Sequence, residues 1–163
     1  MIFPQAPHAR LTYQARFCFR APCAILLAMN EPEVIQRILK EAKTIAIVGV
    51  SANPDKTSHR VAAYLQCKGY RVIPVNPTVE GEILGEKVYP SVQSIREPFD
   101  VVDVFRRAED VPAVVDDAIA AGAKILWMQR GIVNEEAAAK AEAAGMTVVM
   151  DRCMMAEHKK RWG

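Results

Sequence analysis

The sequence contains no uninterrupted apolar run of the ~18 residues that a bilayer-spanning helix requires, which excludes a chain built to cross a membrane. It also lacks a C-x-x-C pair with histidine partners. Its 4 cysteines, Cys18, Cys23, Cys67 and Cys153, are irregularly spaced. That pattern excludes a structural zinc site and points to free thiols in a reducing, cytoplasmic compartment. With Lys+Arg 21 against Asp+Glu 19, the net charge is +2 and the two signs are mixed through the chain. No basic stripe suited to nucleic acid emerges, whereas small anionic ligands are compatible with this balance. Acids are absent from residues 1–30, which carry Arg10, Arg16 and Arg20, while from Glu31 onward charges of both signs alternate. This shift marks a boundary. Residues 1–29 are expected to be a disordered leader, or a stretch upstream of a true start at Met29, and residues 30–163 the folded domain.

What the sequence does have is apolar material, 51% of its residues, enough for one domain with a real core. From Pro32 it settles into an alternation of short β-branched runs and alanine-rich stretches. The runs are Thr44 to Val50, Arg71 to Val75, Asp100 to Phe105, Lys124 to Gln129 and Met146 to Met150. They are nearly continuously apolar, as parallel strands buried on both faces must be. Helices are predicted over Pro32 to Ala42, Ser58 to Lys68, Val111 to Ala121 and Glu135 to Ala144, the last three each followed by one glycine as a stop signal. Asn134 before Glu135 and Glu136 reads as an N-cap, and Pro112 suits a first turn. The pattern predicts an α/β fold with a doubly wound, parallel, five-stranded, Rossmann-like sheet of order 3-2-1-4-5. Ligands of such sheets bind at the carboxyl edge, so the loops Gly49 to Asn53 and Gln129 to Gly131 are expected to flank one ligand. Residues 78–99 read as a loop with a short strand at Val88, covering that ligand. The basic tail, Glu157 to Gly163, reads as a solvated end.

The loop after the first strand leads into a helix N-terminus, where amides and dipole favour an anion. A dinucleotide fingerprint has three glycines where this loop has only Gly49, and an acid after the second strand where this chain reads Val75-Asn76-Pro77. NAD is therefore disfavoured. Asn53-Pro54-Asp55-Lys56-Thr57 lacks the glycines of a Walker loop, although Lys56 remains available to a phosphate.

Five segments together carry a resemblance: Val48-Gly49-Val50-Ser51, Val75-Asn76-Pro77, Val102-Asp103-Val104-Phe105-Arg106, Trp127-Met128-Gln129-Arg130-Gly131 and Asp151-Arg152-Cys153. In this order they resemble the stand-alone CoA-binding domain family, which is similar in fold to the N-terminal CoA-holding domain of the succinyl-CoA synthetase α subunit. The resemblance spans about residues 31–158. It implies coenzyme A or an acyl-CoA as ligand, with Gly49, Val50 and Ser51 approaching the phosphates and Asn53 and Lys56 alongside. It further implies that Asn76 and Pro77 border the adenosine half, that Val104, Phe105 and Arg106 wall the nucleotide, and that Gln129 and Gly131 line the arm toward the thiol. Lys56, His59, Arg106, Arg107 and Arg130 are the cations available to the phosphates.

Synthetase relatives work through a phosphorylated histidine in a second domain that this chain is too short to hold. Among His8, His59 and His158 only His59 falls near the predicted site, and no nucleophile, base and orienting acid group together. Cys153, after Arg152, is the one reactive candidate. A binding module is the expectation. The alternatives are an NAD(P)-using enzyme, a subunit of an acyl-CoA-handling enzyme, or a regulatory protein with a protein partner or a second copy of itself.

Overall fold

The strand Thr44–Val48 (β1) lies at the centre of the sheet, and four of its five residues are buried because both of its faces are covered. In this computed structural model the described residues are 30–163, so the expected leader, with Cys18, Cys23 and His8, falls outside them. Around β1 the chain forms α1 (Pro32–Glu41), α2 (Thr57–Cys67), β2 (Arg71–Val75) and a small hairpin of β3 (Glu82–Ile83) and β4 (Glu86–Lys87). Next come β5 (Val101–Val104), α3 (Val111–Ala120), β6 (Ile125–Met128), α4 (Glu135–Ala143), β7 (Thr147–Val149) and α5 (Met154–Trp162). No helix among the described residues is long and apolar enough to cross a membrane.

The main sheet has five parallel strands in the order β2-β1-β5-β6-β7, with helices on both faces, which makes it a doubly wound, Rossmann-like α/β fold. One detail corrects the sequence reading. The run Asp100 to Phe105 was expected outside the second strand, in third place. It instead pairs with β1 directly, Ile47 opposite Asp103 and Val48 opposite Val104. The third place beyond β2 is held only by a single parallel bridge from Tyr89 to Val75, so the sheet is of the 3-2-1-4-5 type with a vestigial third strand. A bridge of one residue suffices because the β3–β4 hairpin anchors it. Ile83 and Val88 are buried, and Gln66 Nε2 donates to the Leu84 carbonyl at 3.1 Å.

Alternation along each strand divides the core in two. Ala46, Val48, Val102, Val104, Leu126 and Met128 face α3 and α4, where Val111, Val115, Ala118, Ala138 and Ala141 close over them. On the other face Ile45, Ile47, Val101, Trp127 and Val149 meet Ile35, Leu39, Val61, Leu65 and Met154. Asn134 caps α4 as expected, its Oδ1 accepting from the Ala137 amide at 2.9 Å.

The C-terminal segment departs from the solvated tail expected of it. It forms α5, which packs against α2, because Met154, His158 and Trp162 recur at a spacing of four residues and share one helical face. Met154 and His158 are buried, and His158 Nδ1 shares a hydrogen bond with the Tyr64 hydroxyl at 2.9 Å. Lys159 and Lys160 lie on the exposed side, and Arg161 pairs back onto Glu157.

Candidate functional site

At the carboxyl edge, β1 and β5 part at Gly49. Its amide still donates to the Val75 carbonyl at 2.8 Å, while Phe105 donates its amide to Val48 at 2.8 Å. Gly49 has φ +87, and a Cβ there would lie 2.9 Å from the Phe105 carbonyl oxygen and 3.3 Å from Arg106 Cδ. The glycine is thus required by the protein's own backbone, before any ligand approaches. Val50 turns its side chain fully into the core and offers the site only its backbone, whose carbonyl accepts from Asn76 Nδ2 at 2.8 Å.

Side chains organise the turn that follows. Ser51 Oγ accepts from the Asn53 amide at 3.1 Å, Asn53 Oδ1 accepts from Asp55 at 2.9 Å, and the Ser51 amide donates to Ser58 Oγ at 3.1 Å. These bonds aim the start of α2 at the edge of the sheet. Lys56 occupies the N-cap position but has no side-chain acceptor to offer, and the first turn carries no acid. The leading amides and the positive dipole end are left open to an anion. His59 joins the turn through Nδ1, 2.9 Å from the Ser51 carbonyl. A carbonyl only accepts, so Nδ1 carries the hydrogen and Nε2 is free for the ligand.

The neighbouring strand contributes Arg106, half-buried and without an acid partner among the described residues. Arg107 points to Glu109 at 2.9 Å and Asp110 at 3.5 Å, so of the two adjacent arginines Arg106 is the free one. Beside it lies a cleft of about 120 Å³ lined by Val48, Val75, Pro77, Pro90 and Val92. Asn76 borders this end, but its carboxamide is committed, since Oδ1 also accepts from the Thr78 amide at 3.0 Å and hydroxyl at 2.8 Å. Val104 is buried and supports the wall from within.

A second cavity, about 370 Å³, opens on the far side of Phe105 and is lined by Thr57, Gln129, Arg130, Ile132 and Cys153. Cys153 stands half-buried at the N-cap of α5. The segment carrying it is pinned by Trp127, whose Nε1 donates to the Arg152 carbonyl at 2.7 Å. Gly131 is exposed, and its amide is used by Asp151 Oδ1 at 2.7 Å, so it shapes the rim rather than the lining. Gln129 is buried and donates Nε2 to Asp103. Burial pushes the Asp103 carboxyl up to about 7, against the opposing hydrogen bonds from Gln129 and the Val104 backbone.

The family profile of a CoA binding domain matches residues 43–159. The chain belongs to the CoA-binding domain family. Among its relatives, the uncharacterized protein YneT of Bacillus subtilis (strain 168) is 45% identical over 124 residues, covering 76% of this chain and 91% of that protein. A solved structure of a hypothetical protein from Pyrococcus horikoshii OT3 is 44% identical with TM-score 0.78, covering 82% of this chain and 93% of that one. The dinucleotide forming acetyl-coenzyme A synthetase 1 of Ca. Korarchaeum cryptofilum is 29% identical with TM-score 0.59 over 67% of this chain, which spans only 26% of the synthetase.

In this CoA-binding domain the predicted residues gather at one edge, but the switch point lies between β1 and β5. The immediate neighbour of the Gly49 turn is therefore Phe105–Arg106, and the Gln129 loop sits one strand further along than the sequence reading placed it. Thr57, Ile132 and Asp103 were not among the predicted site residues. An acid inside the otherwise apolar run Val101-Val102-Asp103-Val104 was the available signal for the last. A larger, open cleft of about 550 Å³ lies at the opposite edge of the sheet. Its two acids are already engaged: Glu97 with Arg71 at 2.6 Å, Asp100 with the Lys43 and Thr44 amides.

Proposed function

We propose that this domain binds coenzyme A, free or acylated, along the carboxyl edge of the sheet and acts as a binding module without turnover of its own. The observation that carries this reading is Arg106. It is half-buried, without an acid partner among the described residues, and packed over Gly49, whose turn leads to an α2 N-terminus that has neither a side-chain cap nor an acid in its first turn. A diphosphate at that point meets a guanidinium, a helix dipole and Lys56 together. The cleft toward Pro77 then takes the adenosine half, and the larger cavity toward Cys153 takes the arm that ends in the thiol. Membership of the CoA-binding domain family supports the same ligand.

Several features argue against a nicotinamide dinucleotide. The residue after β2 is Asn76, neutral and committed to Val50 and Thr78, so no acid receives an adenosine ribose. Among the described residues no nucleophile and base meet in either cavity. Thermal denaturation with CoA, acetyl-CoA, NAD, NADP and ATP tests the reading, because a ligand present at a hundred times its dissociation constant adds about 2.7 kcal/mol to stability. Stabilisation by CoA species is the expected result; stabilisation by NAD alone, or by none of the panel, overturns it.

A further inference from the structure

Gln129 lines the 370 Å³ cavity, and behind it, outside the lining, stands the buried Asp103. Asp103 has no exposure at all, and in the sheet it stands in register between Ile47 of β1 and Trp127 of β6. No cation pairs with it among the described residues. Both of its oxygens instead accept from one atom, Gln129 Nε2, at 2.9 and 3.0 Å. Above about pH 7 the carboxyl is ionised and only accepts, so there it selects the nitrogen end of the carboxamide. Turning Gln129 over would set its oxygen against two carboxylate oxygens at a fully buried position. The backbone of Gln129 is held as well, its amide by Val104 at 3.3 Å and its carbonyl by Ile132 at 3.0 Å.

With the nitrogen drawn inward, Oε1 is turned the other way. Gln129 is 3% exposed, yet no donor among the described residues reaches Oε1. No fully buried polar side-chain atom among those residues lacks a partner, so this oxygen keeps some exposure, and the cavity is what Gln129 lines. The cavity therefore presents an acceptor of fixed orientation in its wall.

We propose that Asp103 is a positioning residue for ligand selection: by holding Gln129 Nε2, it makes the cavity wall an acceptor and selects an arm that presents an N–H donor. The two secondary amides of the CoA arm are donors of this kind. The inference rests on the coenzyme A reading above and deepens it, since it says what part of the ligand the second cavity reads and which buried group enforces the reading.

Titration calorimetry on the full chain, at a pH about one unit above 7 where Asp103 is ionised, with CoA and with adenosine 3′,5′-bisphosphate, which lacks the arm, tests this. Asp103→Asn keeps the shape but offers Gln129 both a donor and an acceptor. The preference for CoA over the bisphosphate should fall roughly fivefold, the size of one net hydrogen bond, while affinity for the bisphosphate stays the same. Gln129→Leu should remove the same preference, and Asp103→Asn should add nothing in that background. A purely structural Asp103 weakens both ligands together, or acts equally in both backgrounds, and either result overturns the proposal. So does an unchanged preference in a folded Asp103→Asn protein. If that variant does not fold, CoA analogues with each arm amide in turn replaced by an ester are titrated into the unaltered protein. At least one should bind roughly fivefold more weakly, and no loss with either overturns the proposal. Absence of binding by CoA and bisphosphate alike overturns the coenzyme A reading itself, and this inference with it.

Discussion

The carboxamide nitrogen of Gln129 sits almost equidistant from the two oxygens of Asp103, 2.9 and 3.0 Å away, and among the described residues no other side chain bonds to the buried carboxyl. Desolvation dominates its energetics and raises its pKa from 3.8 to about 7. Between those two values the folded protein holds a proton that the unfolded chain has released. This group's contribution is therefore greatest below about pH 4 and is lost as pH rises through about 7. Asp103→Asn removes that dependence. Melting temperatures of the two proteins should diverge between pH 5 and pH 8, with the variant gaining on the wild type as pH rises; a constant difference contradicts the shift.

Gly49 is held by its surroundings as much as by any ligand. Gly49→Ala places a Cβ 2.9 Å from the Phe105 carbonyl at a φ of +87. The conformation alone costs about 1–2 kcal/mol, and the contact adds to it by pressing β5 away from β1. Urea denaturation should show a lower midpoint with unchanged slope. A variant as stable as the wild type shows that the loop relaxes freely.

Arg106 and Arg107 are neighbours with opposite expectations. Arg107 is taken up by Glu109 and Asp110 on an exposed surface. Arg107→Ala should leave CoA affinity within about twofold, because exposed pairs of this kind contribute little. Arg106→Ala removes a charge-assisted contact and should weaken CoA about tenfold or more, with a shallower salt dependence. Calorimetry at two ionic strengths distinguishes them, and equal losses refute the assignment.

Two thiols among the described residues differ in setting: Cys67 is exposed, whereas Cys153 lines the second cavity. Bound CoA should slow alkylation of Cys153 by iodoacetamide and leave Cys67 unchanged. Peptide-level mass spectrometry reads both rates in one sample. Equal protection of both, or of neither, argues against an arm seated beside Cys153.

Met154 tests the docking of α5. Its side chain is fully buried against α2 and the sheet. Met154→Ala should cost ~2–5 kcal/mol of stability in thermal denaturation, as a core truncation does. A solvated tail predicts almost no change. His158 lies in the same contact, where burial and the nearby Lys68 lower its pKa. Its contribution accordingly fades as pH falls through the ordinary histidine range, opposite in sense to Asp103.

The strands, the helices and their stops were readable because each leaves a local mark. Parallel strands covered on both faces are continuous apolar runs, and Asn134 signals a cap wherever it falls. The position of Gly49, Arg106 and Gln129 at one edge of the sheet was also readable, since the carboxyl ends of such strands are where loops converge. The docking of α5 was harder to see. Lys159, Lys160 and Arg161 dominate the composition of the tail and conceal a stripe of three residues on its other side.

By itself, then, the sequence determined the fold class and the family, and it pointed to the carboxyl edge of the sheet as the place to look, because periodicity and chain direction are properties of neighbours along the chain. Only the tertiary structure decided that β5 rather than β6 adjoins the Gly49 turn and that Asn76 is spent on its own loop. It also decided that Asp103 faces inward onto Gln129. Those depend on which strands and side chains meet across long sequence separations, where packing and desolvation choose among partners that local pattern leaves equivalent.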